Sequence, residues 1–305
     1  MIIKKMDSKL QEMEELSSLL KEEISPNQRF LIERELKAMR KGVHGEEDSA
    51  YYIDFYLGNS KNWVIIHDLR IEYEGQIAQI DHILINRFLD IYVLESKNYS
   101  YGIKITLEGE FQAHYGRRYI GIPSPIEQNK RHIHLLERFL KGNEVLPKRI
   151  GITIWPKFKS FVLLSPKAVI TRPPSNKFDT SMVIKADTLQ TKLDEETNKF
   201  NPLIDIGYIG KISSSSTVEE TANRLVSYHK PATIDFKARF GISVQVSAKP
   251  EEGPKQEHKK RASSSSKLFC AKCKKPISEK VAKYCWQNKS KFQGRAYCFD
   301  CQKTI

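Results

Sequence analysis

Asp81, Glu95 and Lys97 lie inside two apolar runs, Gln79-Ile80-Asp81-His82-Ile83-Leu84-Ile85 and Ile91-Tyr92-Val93-Leu94-Glu95-Ser96-Lys97. Both runs place charge where charge is costly. They are rich in β-branched residues and are separated by Asn86 to Asp90, which predicts an antiparallel hairpin of half-buried or buried strands. Side chains alternate along a strand, so Glu95 and Lys97 share one face. A turn centred near Phe88 and Leu89 then brings Asp81 opposite that same region. A pair of carboxylates and an ammonium in one small volume suits a divalent cation and the water it activates. From the residues alone, the competing reading is edge charges facing water, or a buried ion pair without chemistry. The same alternation turns His82 away from Asp81, and His82 reads as structural.

A second set of reactive side chains sits at the other end of the chain. All five cysteines follow residue 269, in Cys270-x-x-Cys273 and Cys298-x-x-Cys301 with Cys285 between them. An odd number arranged in this way fits reduced metal ligands better than a disulfide framework. Cys-x-x-Cys lets a pair of thiolates reach one tetrahedral ion, so Cys270, Cys273, Cys298 and Cys301 are the expected Zn2+ ligands of a zinc-ribbon-like module. Cys285 is the spare, expected to be buried beside Trp286, with substitution for one of the four as the alternative. So short a segment cannot fold on its own apolar burial, and a structural zinc would hold it. From Lys249 to Ile305 there are 15 Lys and Arg against 5 Asp and Glu, so most of the chain's net charge of +13 is here. Lysines among Tyr284, Trp286, Phe292 and Tyr297 combine phosphate neutralisation with base stacking. The competing reading, favoured for the aromatics, makes them the small core of the module.

The elements that must position these groups follow from periodicity. Residues 5 to 40 carry Met6, Leu10, Met13, Leu16, Leu20 and Ile24 at helical spacing, break at Ser25-Pro26-Asn27 and resume, a helical hairpin ended by Gly42. A separate helix is expected from Gly45 to Leu57, with Glu46 and Glu47 in its first turn, where the macrodipole favours anions. Strands are expected at Trp63 to Leu69, Ile77 to Ile85 and Ile91 to Lys97, with one or two more between Gly102 and Ile122. Asn98-Tyr99-Ser100-Tyr101-Gly102 forms a polar and aromatic loop after the second run. Ser124-Pro125-Ile126-Glu127 reads as an N-cap, a first-turn proline and a capping-box glutamate. The helix it opens, to about Lys141, carries Gln128 and His132 on one face, whereas His132 and His134 read as surface residues. Strands at Ser160 to Leu164, Ala168 to Thr171 and Met182 to Lys185, a helix near Thr188 to Lys199, and a helix opened by Thr217-Val218-Glu219-Glu220 complete an α/β region. Residues 247–266, with four consecutive serines and Lys259-Lys260-Arg261, read as a flexible basic linker.

At 305 residues with a pI near 9.3, the chain has room for more than one domain and favours a polyanionic partner, nucleic acid first and an anionic membrane surface as the rival. No apolar stretch approaches the roughly 20 residues of a spanning helix. Met1 to Lys5 lacks the apolar core of a secretory signal, so a cytoplasmic location and no membrane partner are expected. The expected boundaries are 1–41 for the helical hairpin, 42–235 for the α/β domain, 236–267 for the linker and 268–305 for the zinc-ribbon-like module. A homodimer through the N-terminal helices is a further expectation.

Gly42-x-x-Gly45-Glu46, Gln79-Ile80-Asp81-His82, Leu94-Glu95-Ser96-Lys97-Asn98-Tyr99 and Pro125-x-x-Gln128, in this order, resemble the NERD family, the nuclease-related domain. That family is similar to the PD-(D/E)XK nuclease superfamily, which implies a mixed central sheet flanked by helices. The resemblance covers about 42 to 165. It implies that Asp81 and Glu95 ligate a catalytic Mg2+ or Mn2+ and that Lys97 orients or activates the attacking water. It further implies that Glu46 completes or supports the metal site, and that Gln128 contacts the scissile region or holds Lys97. The implied activity is metal-dependent hydrolysis of phosphodiester bonds, DNA before RNA, with the zinc module adding hold on the substrate. The alternative is a catalytically weak nucleic-acid-binding or adaptor protein that retains the fold. The turn from Asn86 to Asp90 lacks the glycine usual in that family.

Overall fold

The computed structural model describes residues 1–99, 101–198, 210–242 and 268–303, which fall into units spanning Met1–Gln245 and Val246–Ile305. The first unit begins with β1 (Ile2–Lys4), α1 (Leu10–Leu19), α2 (Pro26–Leu57), β2 (Trp63–Tyr73), β3 (Gln76–Asn86) and β4 (Ile91–Lys97). It continues with β5 (Gly102–Ile105), β6 (Phe111–Tyr115), β7 (Arg118–Ile122), α3 (Pro125–Gly142), β8 (Lys148–Arg149) and β9 (Ile152–Thr153). Last come β10 (Phe158–Leu164), β11 (Val169–Thr171), β12 (Val183–Lys185), α4 (Leu189–Asn198), α5 (Ser215–Val226) and α6 (Phe236–Arg239).

A six-stranded mixed sheet in the order β1-β2-β3-β4-β10-β12 forms the centre. β3 runs antiparallel to its neighbours β2 and β4, whereas β10 runs parallel to β4 and β12 parallel to β10. The middle strands are apolar on both faces because helices cover both. Ile83, Ile85, Ile91 and Val93 pack with Leu136 and Phe139 of α3 and Val218 and Leu225 of α5. On the other face Ile65, Leu84, Tyr92 and Leu94 pack with Ile53 and Leu57 of α2 and Leu189 and Leu193 of α4. Each fully buried aliphatic side chain contributes about 1.5–3 kcal/mol, so this double facing fixes the register of the strands that carry the charged residues. A second sheet, β11-β5-β6-β7, follows β4 in the chain and packs Ile103, Ile105 and Phe111 with Val162 and Leu164 of β10 and Ile126 of α3.

The turn between β3 and β4 needs no glycine. Asn86 Oδ1 accepts the backbone N–H groups of Phe88 and Asp90, both at 3.0 Å, and Leu89 takes the left-handed conformation at φ 61°. An asparagine side chain standing in for a backbone acceptor is the usual way to build such a turn.

Several expected boundaries move. α2 is one helix of 32 residues, so the helix end at Gly42 and the new start at Gly45 are corrected. Its start is strong: Ser25 Oγ accepts from Gln28 N and Gln28 Oε1 accepts from Ser25 N, a complete capping box with Pro26 in the first turn. Two interior glycines each cost about 1 kcal/mol against alanine. Packing of Ile53 and Leu57 on the sheet outweighs that cost and carries the helix on to Gly58. Glu46 is therefore in mid-helix, and the macrodipole account of it is withdrawn. α3 starts as expected at Ser124, whose Oγ accepts from Glu127 N, but the Glu127 carboxylate pairs with Lys130 at 2.7 Å instead of closing the box. α5 is capped by Ser214, whose Oγ accepts from Thr217 N, three residues before the start read from Thr217. β1, which pairs Ile2 with Ile65, left no sequence signal.

The apolar side of the hairpin made by α1 and α2 is covered within the unit. Leu16, Leu19, Ile32 and Leu36 surround Phe236 of α6, which is fully buried. Residues 236–242 are thus part of the packed unit, not the start of a linker, and 243–267 lie outside the described residues. The second unit contains α7 (Glu279–Gln287), α8 (Lys289–Phe292) and α9 (Phe299–Gln302), with one β-bridge between Phe269 and Pro276. Between its Cys-x-x-Cys pairs lie the bridge residue Pro276 and then α7 and α8. Among the described residues no helix is long and apolar enough to cross a membrane.

Candidate active site and four-cysteine cluster

The register of β3 and β4 pairs His82 with Leu94, which makes Asp81 and Glu95 the next positions along the ladder. The turn centre inferred from sequence is the observed one. Asp81 Oδ2 accepts the backbone N–H of Ser96 at 2.7 Å. Glu95 is buried, and its Oε1 accepts from Lys97 Nζ at 2.5 Å and from Gln128 Nε2 of α3 at 2.7 Å. Its Oε2 is buried without a hydrogen-bond partner, facing His132 Nδ1 at 3.5 Å, which is also unpartnered.

α2 reaches this site because Gly45 has no side chain: a Cβ there would lie 2.6 Å from Asn98 Cβ. Asn98 Nδ2 in turn donates to Lys41 O at 3.2 Å, tying the end of β4 to the helix. Glu46 then stands near Asp68, Glu95 and Lys97, and burial followed by the charge of Asp68 pushes its pKa up to about 7. Burial likewise raises Asp81 well above the carboxylate range, helped by Glu95 and Glu46 and opposed by the Ser96 N–H and Lys97. Glu95 is raised by burial against the pull of Lys97. Lys97 moves the other way from a buried amine. Burial works against its charge, but Glu95, Asp81 and Tyr99 outweigh it and hold its pKa above the usual value. His132, next to Lys97 and Arg131, is depressed to about 4, chiefly by burial, so it is neutral at pH 7.

Glu46, Asp81, Glu95, Lys97 and Gln128 are thus brought together from α2, β3, β4 and α3. Glu47, His134 and Phe88 are not among them. His132 corrects the surface reading, since its ring nitrogen is buried against Glu95. Asp68, absent from the sequence reading, is buried on β2 at φ 53°, and accepts from Asp7 N at 3.2 Å and from Gln79 Nε2. An aspartate inside the apolar strand from Trp63 was the available signal for it.

His82 is on the opposite face, as alternation requires. It belongs to a chain of polar groups that runs inward from the partly exposed Asp54: Asp54 Oδ1 to His67 Nε2 at 2.9 Å, His67 Nδ1 to His82 Nδ1 at 2.7 Å, and His82 Nε2 to Ser96 Oγ at 2.9 Å. Both imidazoles are depressed by burial and stay neutral. The chain ends at the residue whose N–H holds Asp81, so it positions that carboxylate from behind the sheet.

A family model described as NERD, nuclease-related domain, matches residues 41–165. The chain carries a nuclease-related domain. Searches of curated proteins and of solved structures give no match. The match spans the second half of α2 through β10 and includes every element that supplies the acids, Lys97 and Gln128, which gives the domain a nuclease-related function and nucleic acid as its general class of partner. β11, β12, α4 to α6 and the whole second unit lie beyond the matched residues.

In the second unit, Cys270, Cys273, Cys298 and Cys301 place their sulfur atoms within 4.8 Å of one another, a set that can hold zinc. Burial disfavours the Cys270 thiolate, but backbone N–H groups of Cys273, Cys298 and Lys272 outweigh it and draw the pKa to about 6. Cys301, crowded first by Cys298, is pushed up to about 12. A bound cation would relieve that crowding. Cys285 is outside the cluster, buried, and accepts from Tyr297 N at 3.4 Å and Gln302 Nε2 at 3.2 Å. Phe292 is the buried aromatic of the unit, whereas Tyr284 and Trp286 are exposed, which corrects their assignment to its core. Among the described residues these cysteines are the one group of three or more potential ligands drawn so close. In the nuclease-related domain, Glu46, Asp81 and Glu95 offer hard oxygen donors at wider spacing.

Proposed function

We propose that this chain is a divalent-metal-dependent phosphodiesterase that cuts nucleic acid, DNA in preference to RNA, and uses its four-cysteine unit, loaded with zinc, to hold the polymer. The observation that carries this reading is the buried, unpartnered Oε2 of Glu95, in a cluster of acids too crowded to ionise together without a further cation. Asp81 and Glu95 are the ligands for Mg2+ or Mn2+, with Glu46 completing the set. The ion supplies a Lewis acid for a non-bridging phosphate oxygen and lowers the pKa of attacking water.

The chain's own residues do the rest. Lys97 keeps its proton at neutral pH, so it acts by orienting water and neutralising charge that builds on the phosphate, not as a base. Gln128 acts on Glu95, which it shares with Lys97. The basic linker and unit raise effective concentration by tethering a second weak binder to the first. Reduced, paired thiols fit a cytoplasmic location.

The test is cleavage of supercoiled, linear and single-stranded DNA and of RNA with Mg2+ or Mn2+. Asp81→Ala and Lys97→Ala are each expected to lose at least about 100-fold in rate. Cleavage that survives both substitutions would sink the assignment. The rival, a binding or adaptor protein on the same fold, is favoured by the engagement of Glu95 Oε1 with Lys97 and Gln128 in place of a compact ligand set. Tight binding by the wild type with no cleavage under either metal selects it.

A further inference from the structure

Beyond the acids, the second sheet carries a surface to which none of the roles above assigns a ligand. Its outer face presents Tyr101, His114 and Tyr119 as one aromatic strip: Tyr101 and His114 rings meet edge-on at 5.8 Å, and His114 and Tyr119 stack at 4.9 Å. His114 and Tyr119 are cross-strand partners on β6 and β7, yet Tyr119 remains 52% and Tyr101 59% exposed. Lys104 holds its ammonium 5.8 Å from the Tyr119 ring, Arg117 is in the turn after Gly116, and Arg118, opposite Tyr115, faces the other side of the sheet. None of these three cations forms an ion pair with a described residue, and the acids of this sheet, Glu108 and Glu110, lie at the other end of β6.

This sheet follows the acid site closely in the chain: β5 starts five residues after Lys97. Tyr99, two residues after Lys97, packs against the inner face of the same sheet with Ile103 and Phe111. We infer that this face is a platform for single-stranded nucleic acid, with unpaired bases stacking on Tyr119, His114 and Tyr101 and phosphates held by Lys104 and Arg117. The inference rests on the nuclease reading for its purpose, though not for its test. Aromatic faces select single strands because the bases of a duplex are already stacked on one another.

The full chain carrying Asp81→Asn, kept free of chelator, is titrated by fluorescence anisotropy with a labelled oligothymidylate and with a duplex of equal length. Tyr119→Ala is expected to weaken the single strand about ten-fold and leave the duplex unchanged, while Tyr119→Phe restores wild-type binding. The double variant Lys104→Ala, Arg117→Ala is expected to weaken both ligands and to reduce the salt slope for the single strand by about 1.4. Equal loss of single strand and duplex in Tyr119→Ala, or loss of neither, overturns the platform. So does binding to phosphatidylserine vesicles that Tyr119→Ala abolishes while oligonucleotide binding stands. A wild type that shows this pattern but cleaves nothing supports the platform and sinks the proposed activity.

Discussion

The thiol cluster and the acid cluster are built by opposite means. Each Cys-x-x-Cys pair delivers its thiols across a local turn, so four sulfurs converge within 4.8 Å in a unit whose own buried residues are few: Cys270, Ala282, Cys285 and Phe292. The acids are drawn from α2, β3 and β4 and are held by cores on both faces of a six-stranded sheet. The first site must therefore make its fold, while the second is imposed by a fold that exists without it. Zinc removal is the largest perturbation that separates them. An apparent contribution of about 10–16 kcal/mol is typical of structural zinc in small modules, so Cys270→Ser or chelation should open residues 268–303 to proteolysis. The first unit should keep its cooperative melting under the same treatment. Destabilisation of both, or zinc content well below one equivalent in protein purified without chelator, would break the contrast.

A fold that imposes its acids carries a measurable strain, and its sign is set by proton linkage. Glu46 titrates near 7 in the folded state against 4.5 unfolded, so the folded chain holds that proton more tightly. Below the unfolded value the preference is fully present; as pH rises through about 7 the unfolded state has already released its proton, and stability falls by up to ~3 kcal/mol. Asp81 and Glu95, also raised, add slopes of the same sign. Denaturant midpoints of the first unit should fall between pH 5 and pH 8, Glu46→Gln should flatten part of that fall, and Mg2+ or Mn2+ should offset it most at the high end. An unchanged slope in Glu46→Gln would mean that the helix acid is not part of the cluster.

The difference in construction also explains what was legible in the sequence. The four-cysteine cluster could be read from spacing, because spacing is what brings the thiols together. Asp81 and Glu95 could be read because both lie in one hairpin whose turn centre fixes their register. Gly45 and Glu46 were recognised by order and misplaced in structure: a helix start inferred from glycines cannot register packing of Ile53 and Leu57, which carries α2 through both. Asp68 and β1 were missed, and His132 was taken for a surface residue, for the same physical reason. Each depends on contacts distant in sequence, Asp68 with Asp7, His132 with Glu95, and Ile2 with Ile65, and no local period records such a contact.

Gln128 offers the smallest and most discriminating test of how the acid cluster is held. Its amide donates to the same Glu95 oxygen that Lys97 approaches, and its own side chain is on a helix separately anchored by Asn129, whose Nδ2 reaches Val93 O at 2.8 Å and Ser160 Oγ at 2.9 Å. Gln128→Ala therefore leaves α3 in place and removes one hydrogen bond to a carboxylate, a loss of about 1.5–3 kcal/mol at most, since Lys97 still satisfies that oxygen. If Gln128 works by aiming Glu95, as the geometry has it, kcat and kcat/KM should fall together, by about ten-fold, with KM unmoved. If it touches the scissile region, KM should rise while kcat holds. That split separates an acid site tuned from behind, through groups that never meet the substrate, from one whose helix reads the polymer directly.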